Sequence, residues 1–211
     1  LVISYNSLKN FNMMNEREAI RNKINEVLNV GVKQPALSYW GEENLHQEFK
    51  TSIVYPPDNH MKADVKRQTQ EIMQVICGFL NADGGTLYLG VNDQGYASGL
   101  EQDLEYLKMS KDQFDLYVRN NIVSSMGNEA NACIDAYYPE AGRKLVYALK
   151  ITPCSRPVRM KGTVYQRQGS STWPLLGNAL EAFLAARETG AESRGTENLQ
   201  IAAAGVEEGL A

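Results

Sequence analysis

Between Asp64 and Asn92 the chain changes its hydrophobic period without a break. Val65, Ile72, Val75, Ile76, Phe79 and Leu80 fall on one broad apolar stripe at helical spacing. Asp64 stands where a side-chain oxygen can cap the free N–H groups of the first turn. The spacing predicts a helix over 65–81, central and buried. Asn81-Ala82-Asp83-Gly84-Gly85 then ends it, because glycine accepts the positive φ that a C-cap and a tight turn require, and lets strand and helix pack closely. From Thr86 the period becomes two: Leu87, Leu89 and Val91 alternate with Tyr88, Gly90 and Asn92, as in a strand. Asn92-Asp93-Gln94-Gly95 is its turn.

The rest of the chain supplies partners for this unit. Upstream, β-branched Thr51, Ile53 and Val54 predict a strand over 48–55, ended by Pro56-Pro57. Downstream, residues 101–108 and 111–126 read as helices, the second from Phe114, Tyr117, Val118 and Ile122. Three further strands are expected over 132–138, 145–152 and 163–167, with hairpin signals at Ala141-Gly142 and Lys161-Gly162, and a closing helix over 178–187. Ile20, Ile24 and Leu28 mark an amphipathic helix within 15–28. The fold class expected is α+β, with helices laid over a mixed or antiparallel sheet. Residues 1–41 form an N-terminal helix and extension, 42–184 the domain, and 185–211 a weakly ordered tail rich in Ala, Gly and Glu, whose Arg-Gly-Thr-Glu-Asn-Leu-Gln run resembles a linker scar.

With 43% hydrophobic and 22% charged residues, the composition is that of a soluble globular protein. No apolar run approaches the roughly 20 residues that cross a bilayer, and no secretory signal opens the chain, so a cytoplasmic location without membrane contact is expected. Cys77, Cys133 and Cys154 are odd in number and widely spaced, which argues for reduced, inert thiols rather than a disulfide framework. With only His46 and His60 beside them, a structural zinc site lacks ligands.

The net charge of −4 conceals an asymmetry. Residues 185–211 hold two arginines against five glutamates, whereas the stretch 143–167 carries Arg143, Lys144, Lys150, Arg156, Arg159, Lys161 and Arg167 and no acidic residue. That local excess suits a phosphate backbone, DNA or RNA. The following Ser170 and Ser171, after Gly169, can cradle a phosphate through hydroxyls and free N–H groups, although such turns also simply cap structure. Tyr165 and Trp173 can stack on bases, but each suits core packing or a surface anchor at least as well.

Residues 43–50, Glu-Asn-Leu-His-Gln-Glu-Phe-Lys, pose a geometric problem. On a regular strand Glu48 and Lys50 share a face while Glu43 and Glu48 point opposite ways. A bulge or bend near His46 is needed if the two acids are to meet. Without one, the segment is a charged, solvated edge strand.

Taken in order, this segment, the Phe79–Gly85 helix end, Gly90-Val91-Asn92-Asp93 with Gly95 and Gly99, and Tyr165–Ser171 resemble the Schlafen-type AlbA-like domain, also called the divergent AAA domain, over about residues 42–176. That family is found in bacterial transcriptional regulators and in the N-terminal region of vertebrate Schlafens. The resemblance implies a single AlbA-like lobe that binds nucleic acid. In the Schlafen nucleases three carboxylates form a metal-dependent site that cleaves structured RNA such as tRNA. The matching positions here are Glu43, Glu48 and Asp93, with Lys50 beside them to stabilise phosphate charge. Such a set would hold Mg²⁺ or Mn²⁺, hard cations that prefer carboxylate oxygens.

The chain departs from vertebrate Schlafens in lacking their Cys/His zinc element and in having one lobe rather than two. A two-lobed clasp would require a homodimer. Despite the AAA label there is no Gly-x4-Gly-Lys-[Ser/Thr] phosphate loop, so ATP hydrolysis is not expected. Three readings follow: a nucleic-acid-binding regulator domain contacting phosphates through the basic segment, a divalent-metal endoribonuclease, and a protein-interaction or assembly module.

Overall fold

The structure is a computed structural model that describes residues 38–187. The helix expected within 15–28 and the tail beyond 187 lie outside the described residues. The fold is α+β, as expected. A four-stranded sheet is built from β1 (Gln47–Lys50), β2 (Gly85–Leu89), β3 (Ile134–Tyr137) and β4 (Tyr147–Ile151), in the order β1-β2-β4-β3. β1 and β2 run parallel, while β4 is antiparallel to both its neighbours.

A parallel pair needs a crossover. Here it is α1 (Val65–Leu80), capped by Asp64 accepting from the Arg67 N–H at 3.1 Å. Ile72, Met73, Ile76, Phe79 and Leu80 are all buried against the sheet face that carries Leu87, Leu89, Leu149 and Ile151. At the helix end Gly85 is required for its size. A β-carbon there would lie 2.6 Å from the carbonyl oxygen of His46, which accepts from Thr86 N–H and starts the β1–β2 ladder.

Three more helices follow: α2 (Glu101–Leu107), α3 (Lys111–Met126), whose Ser110 and Gln113 form a reciprocal capping box, and α4 (Asn128–Ala132). Phe114, Val118 and Ile122 bury the apolar stripe of α3 in the same core. The opposite sheet face holds a second, smaller core of Phe49, Val91, Ala97, Ala141 and Val146 under Trp40 and Tyr88. A separate hairpin, β5 (Tyr165–Gln168) and β6 (Ser171–Pro174), packs on α1, and α5 spans 177–187.

The turn after Arg167 is the tip of the β5–β6 hairpin, with Gln168 paired to Ser171. One expectation needs correction. The strand expected over 48–55 ends at Lys50. Beyond it Ser52 Oγ donates to the Asp103 carboxylate at 2.8 and 2.9 Å, and Ile53 N–H donates to it at 2.7 Å. These bonds turn the chain off the sheet and onto α2.

Asp103 is 3% exposed, and burial raises its carboxyl pKa above the ordinary 3.8 against the opposing bonds from Ile53 and Ser52. The folded state therefore holds this proton more tightly than the unfolded chain does. Its contribution to stability is fullest below pH 3.8 and is lost as pH rises through the raised folded value. In a urea-denaturation series across pH, the advantage of wild type over Asp103→Asn is expected to be greatest at the acidic end and to shrink as Asp103 ionises.

A compensated carboxylate cluster and its basic flanks

The bend expected near His46 is present. Asn44 and Gln47 exchange backbone hydrogen bonds at 3.0 and 3.3 Å around Leu45-His46, and Asn44 Oδ1 accepts from His46 N–H at 2.8 Å. The Gln47 side chain donates back to the carbonyls of Trp40 and Glu42, at 2.8 and 3.2 Å. This tight turn reverses the chain so that Glu43 lies alongside β1, where its Oε1 accepts from Phe49 N–H at 2.8 Å.

The acidic turn after β2 is brought to the same place by close backbone packing. Gly95 has φ +79°, and a β-carbon on it would lie 2.0 Å from the carbonyl oxygen of Gly41. Trp40 N–H donates to Gly95 O at 2.9 Å, and Ala97 N–H to Ser38 O at 3.2 Å. The 92–95 turn is thus laid against the segment leading into Glu43. The Glu43 carboxyl is raised above its ordinary value, first by burial and then by the negative fields of Glu48 and Asp93; Phe49 N–H and Lys50 oppose the rise.

Glu48 is 6% exposed, and both its oxygens are engaged. Oε1 meets Lys50 Nζ at 2.7 Å and Oε2 meets Arg167 Nη1 at 2.7 Å. Arg167 does not lie on the surface with the other basic residues of the 143–167 stretch: its side chain is 0% exposed. Its Nη2 donates to the carbonyls of Asn44 and Gln47 at 2.7 and 3.0 Å, its Nε to Asn44 O at 3.2 Å, and its guanidinium lies 4.6 Å from the centre of the Phe79 ring. Two of the three guanidinium nitrogens serve the turn that shapes the acid cluster, and the third holds Glu48.

The remaining site residues are exposed but do not form one patch. Ser170 and Ser171, at the hairpin tip, line a hollow of about 320 Å³ together with Glu48, Lys50, Glu71 and Trp173. Arg143 and Lys144 line another, of about 820 Å³, together with Asp93 and His60. Arg156 and Arg159 line a third of about 670 Å³. Lys150 projects from the outer sheet face between Thr86 and Asp135, and Lys161 sits at a turn with φ +49°.

Residues 43–175 match the family model described as Schlafen, AlbA_2. The chain belongs to this family. Membership supports a general nucleic-acid-binding role for the Schlafen AlbA_2 domain. Among solved structures, the DIP2311 protein from Corynebacterium diphtheriae is similar at 17% identity and a TM-score of 0.45, over 62% of this chain and 25% of that one. The chain thus spans about a quarter of the length of that relative. Among the described residues of the domain no helix is long and apolar enough to cross a membrane.

The three acids share one electrostatic neighbourhood but do not fit a metal centre as arranged. Glu48 is neutralised by two cations, Glu43 Oε1 is taken by a backbone N–H, and among the described residues no three acidic, His or Cys side chains converge tightly enough to hold an ion. Sequence reasoning missed Asn81, whose amide donates to the carbonyls of Val158 and Tyr165 and whose oxygen accepts from Val158 N–H, all at 2.8 Å. It joins the end of α1 to the strand that delivers Arg167. Its place directly after the apolar run Phe79-Leu80 was the available signal.

Removing one partner of a buried ion pair leaves the other charge uncompensated, at a cost of about 3–5 kcal/mol. Arg167→Ala is expected to lose about that much in chemical denaturation, and Arg167→Lys to recover only part of it, because an ammonium cannot reach Glu48 and two carbonyls together. Separately, Asp93→Asn is expected to lower the Glu43 pKa and Lys50→Met to raise it, as read by carbon NMR titration of the Glu43 carboxyl.

Proposed function

We propose that this domain binds nucleic acid by its phosphate backbone, with Arg143 and Lys144 as principal contacts and Lys150, Arg156, Arg159 and Lys161 as peripheral ones. The observation that carries this reading is the pair of exposed cations, Arg143 and Lys144, in the large hollow that they and His60 line together with the acidic Asp93, Glu101 and Asp103. Two exposed cations on a concave surface attract a polyanion and release its condensed counterions on contact. Contacts of this kind position the strand without reading its bases. Ser170 and Ser171, beside Lys50 and the exposed Trp173, give a second place where a phosphate and a stacked base suit the chemistry.

A second reading, a divalent-metal endoribonuclease using Glu43, Glu48 and Asp93 with Mg²⁺ or Mn²⁺, is favoured by one observation: Glu43 feels the charge of both other acids. It requires Glu48 to release at least one of its two cations.

The test is fluorescence anisotropy of the whole chain with single-stranded RNA, tRNA and duplex DNA across a salt series, in EDTA and in Mn²⁺. Binding should weaken steeply with salt, and Arg143→Ala with Lys144→Ala should reduce the slope of log K against log salt by roughly two, about one per lost phosphate contact. Absence of binding at low salt would overturn the reading in favour of a protein-interaction module. Mn²⁺-dependent cleavage abolished by Asp93→Ala would replace it with the nuclease.

A further inference from the structure

Cys133 follows α4 directly and leads into β3, while Cys154 lies just beyond β4. The β3–β4 ladder pairs Ile134 with Ile151, and Thr152 N–H donates to Cys133 O at 2.9 Å, so the register places the two cysteine backbones side by side at the sheet end. Their sulfurs are 2.8 Å apart. Cys154 is held from both sides. Its N–H donates to Leu80 O at 3.0 Å, its carbonyl accepts from Arg187 Nη1, and its residue is 7% exposed. Cys133 is half-buried, and both line the hollow that also carries Glu129, Arg156 and Arg159.

We propose that Cys133 and Cys154 are a redox site, closing to an intramolecular disulfide under a peroxide oxidant and reopening with a thiol reductant. The sulfurs need only close from 2.8 Å to the S–S bond length of about 2.05 Å. That contact distinguishes this pair from Cys77, which is buried in α1 and whose sulfur contacts are the Val158 carbonyl and the Asn81 amide.

The residues assign the order of events. Cys133 is the sulfur that solvent reaches. It attacks hydrogen peroxide, the O–O bond breaks, and Cys133 becomes a sulfenic acid while water is released. Cys154 sulfur then attacks Cys133 sulfur, the S–S bond forms, the S–O bond breaks, and the departing hydroxide takes the Cys154 thiol proton as a second water. Two thiols and one peroxide thus give one disulfide and two waters. Burial, followed by the neighbouring Cys133, pushes the Cys154 thiol up to about 12, so the buried partner stays protonated until Cys133 has been oxidised. Closure would tie the connection bearing Arg156 and Arg159 to the end of α4. The chemistry is independent of nucleic-acid binding and is read without it.

The experiment treats the native full chain with hydrogen peroxide, quenches by alkylation, then denatures, counts thiols and maps peptides. The expected result is a fall from three alkylatable thiols to one, Cys77, with a Cys133–Cys154 peptide on a monomeric chain, restored to three by dithiothreitol. Cys133→Ser should leave both remaining thiols alkylatable, and Cys77→Ser should leave the linkage intact. Cys133 driven to sulfinic acid while Cys154 stays free, or linkage only between chains, would overturn the proposal. The wild-type map decides it even if a variant fails to fold.

Discussion

The guanidinium of Arg167 connects parts of the chain that otherwise have little reason to meet. It reaches from β5 to the carboxylate of Glu48 on β1, to two carbonyls of the Asn44–Gln47 turn, and to the face of Phe79 on α1. Burying a charge is costly unless it is paired and hydrogen-bonded, and here each nitrogen finds an acceptor. Such a group is intolerant of small displacements. The hairpin, the edge strand and the turn are therefore held in one arrangement, and the shape of the acid cluster is a consequence of where this one cation sits.

That arrangement changes what the acids can do. Glu48, flanked by Arg167 and Lys50, behaves as an internal counterion, and Glu43 is drawn into the backbone of β1. The cluster is compensated from within instead of being aimed at a shared external point. The basic residues outside it are correspondingly freer to meet an external anion. Because charges are screened over about 8 Å at physiological ionic strength, a phosphate at Arg143 and Lys144 responds to its immediate neighbours rather than to the net charge of −4. A mildly acidic chain can thus still present exposed cations to an anion, here with Asp93, Glu101 and Asp103 on the same lining.

Much of the fold was legible because it rests on local pattern. Asp64, the stripe from Ile72 to Leu80 and the Gly84-Gly85 stop all lie within one stretch of chain, and the helix appears with its cap where the period places it. The alternation of β2 and the stripe of α3 are equally local. The misreadings have a common cause in partners remote in sequence. Ser52 and Ile53 leave the sheet because Asp103, 51 and 50 residues on, offers a buried acceptor. Arg167, beside glycine and serines, has the look of a surface phosphate ligand, but its carboxylate lies 119 residues away. Cys133 and Cys154 look like isolated thiols until the β3–β4 register sets them together.

By itself, then, the sequence determined the α+β class, the central helix and its ends, the turn that must form near His46 if Glu43 and Glu48 are to meet, and the family. The class, the helix and the turn follow from periodicity, from the backbone freedom of glycine and from the short reach of a capping side chain, all of which act between near neighbours; the family follows from the resemblance of its ordered motifs. Only the tertiary structure decided which cations face solvent and which are consumed inside, that Glu43 feels the charge of Glu48 and Asp93 while Glu48 is paired with Lys50 and Arg167, and that two distant thiols touch. Those outcomes depend on through-space distances of a few ångströms, where Coulomb energy and desolvation change steeply, and residue order does not specify such distances.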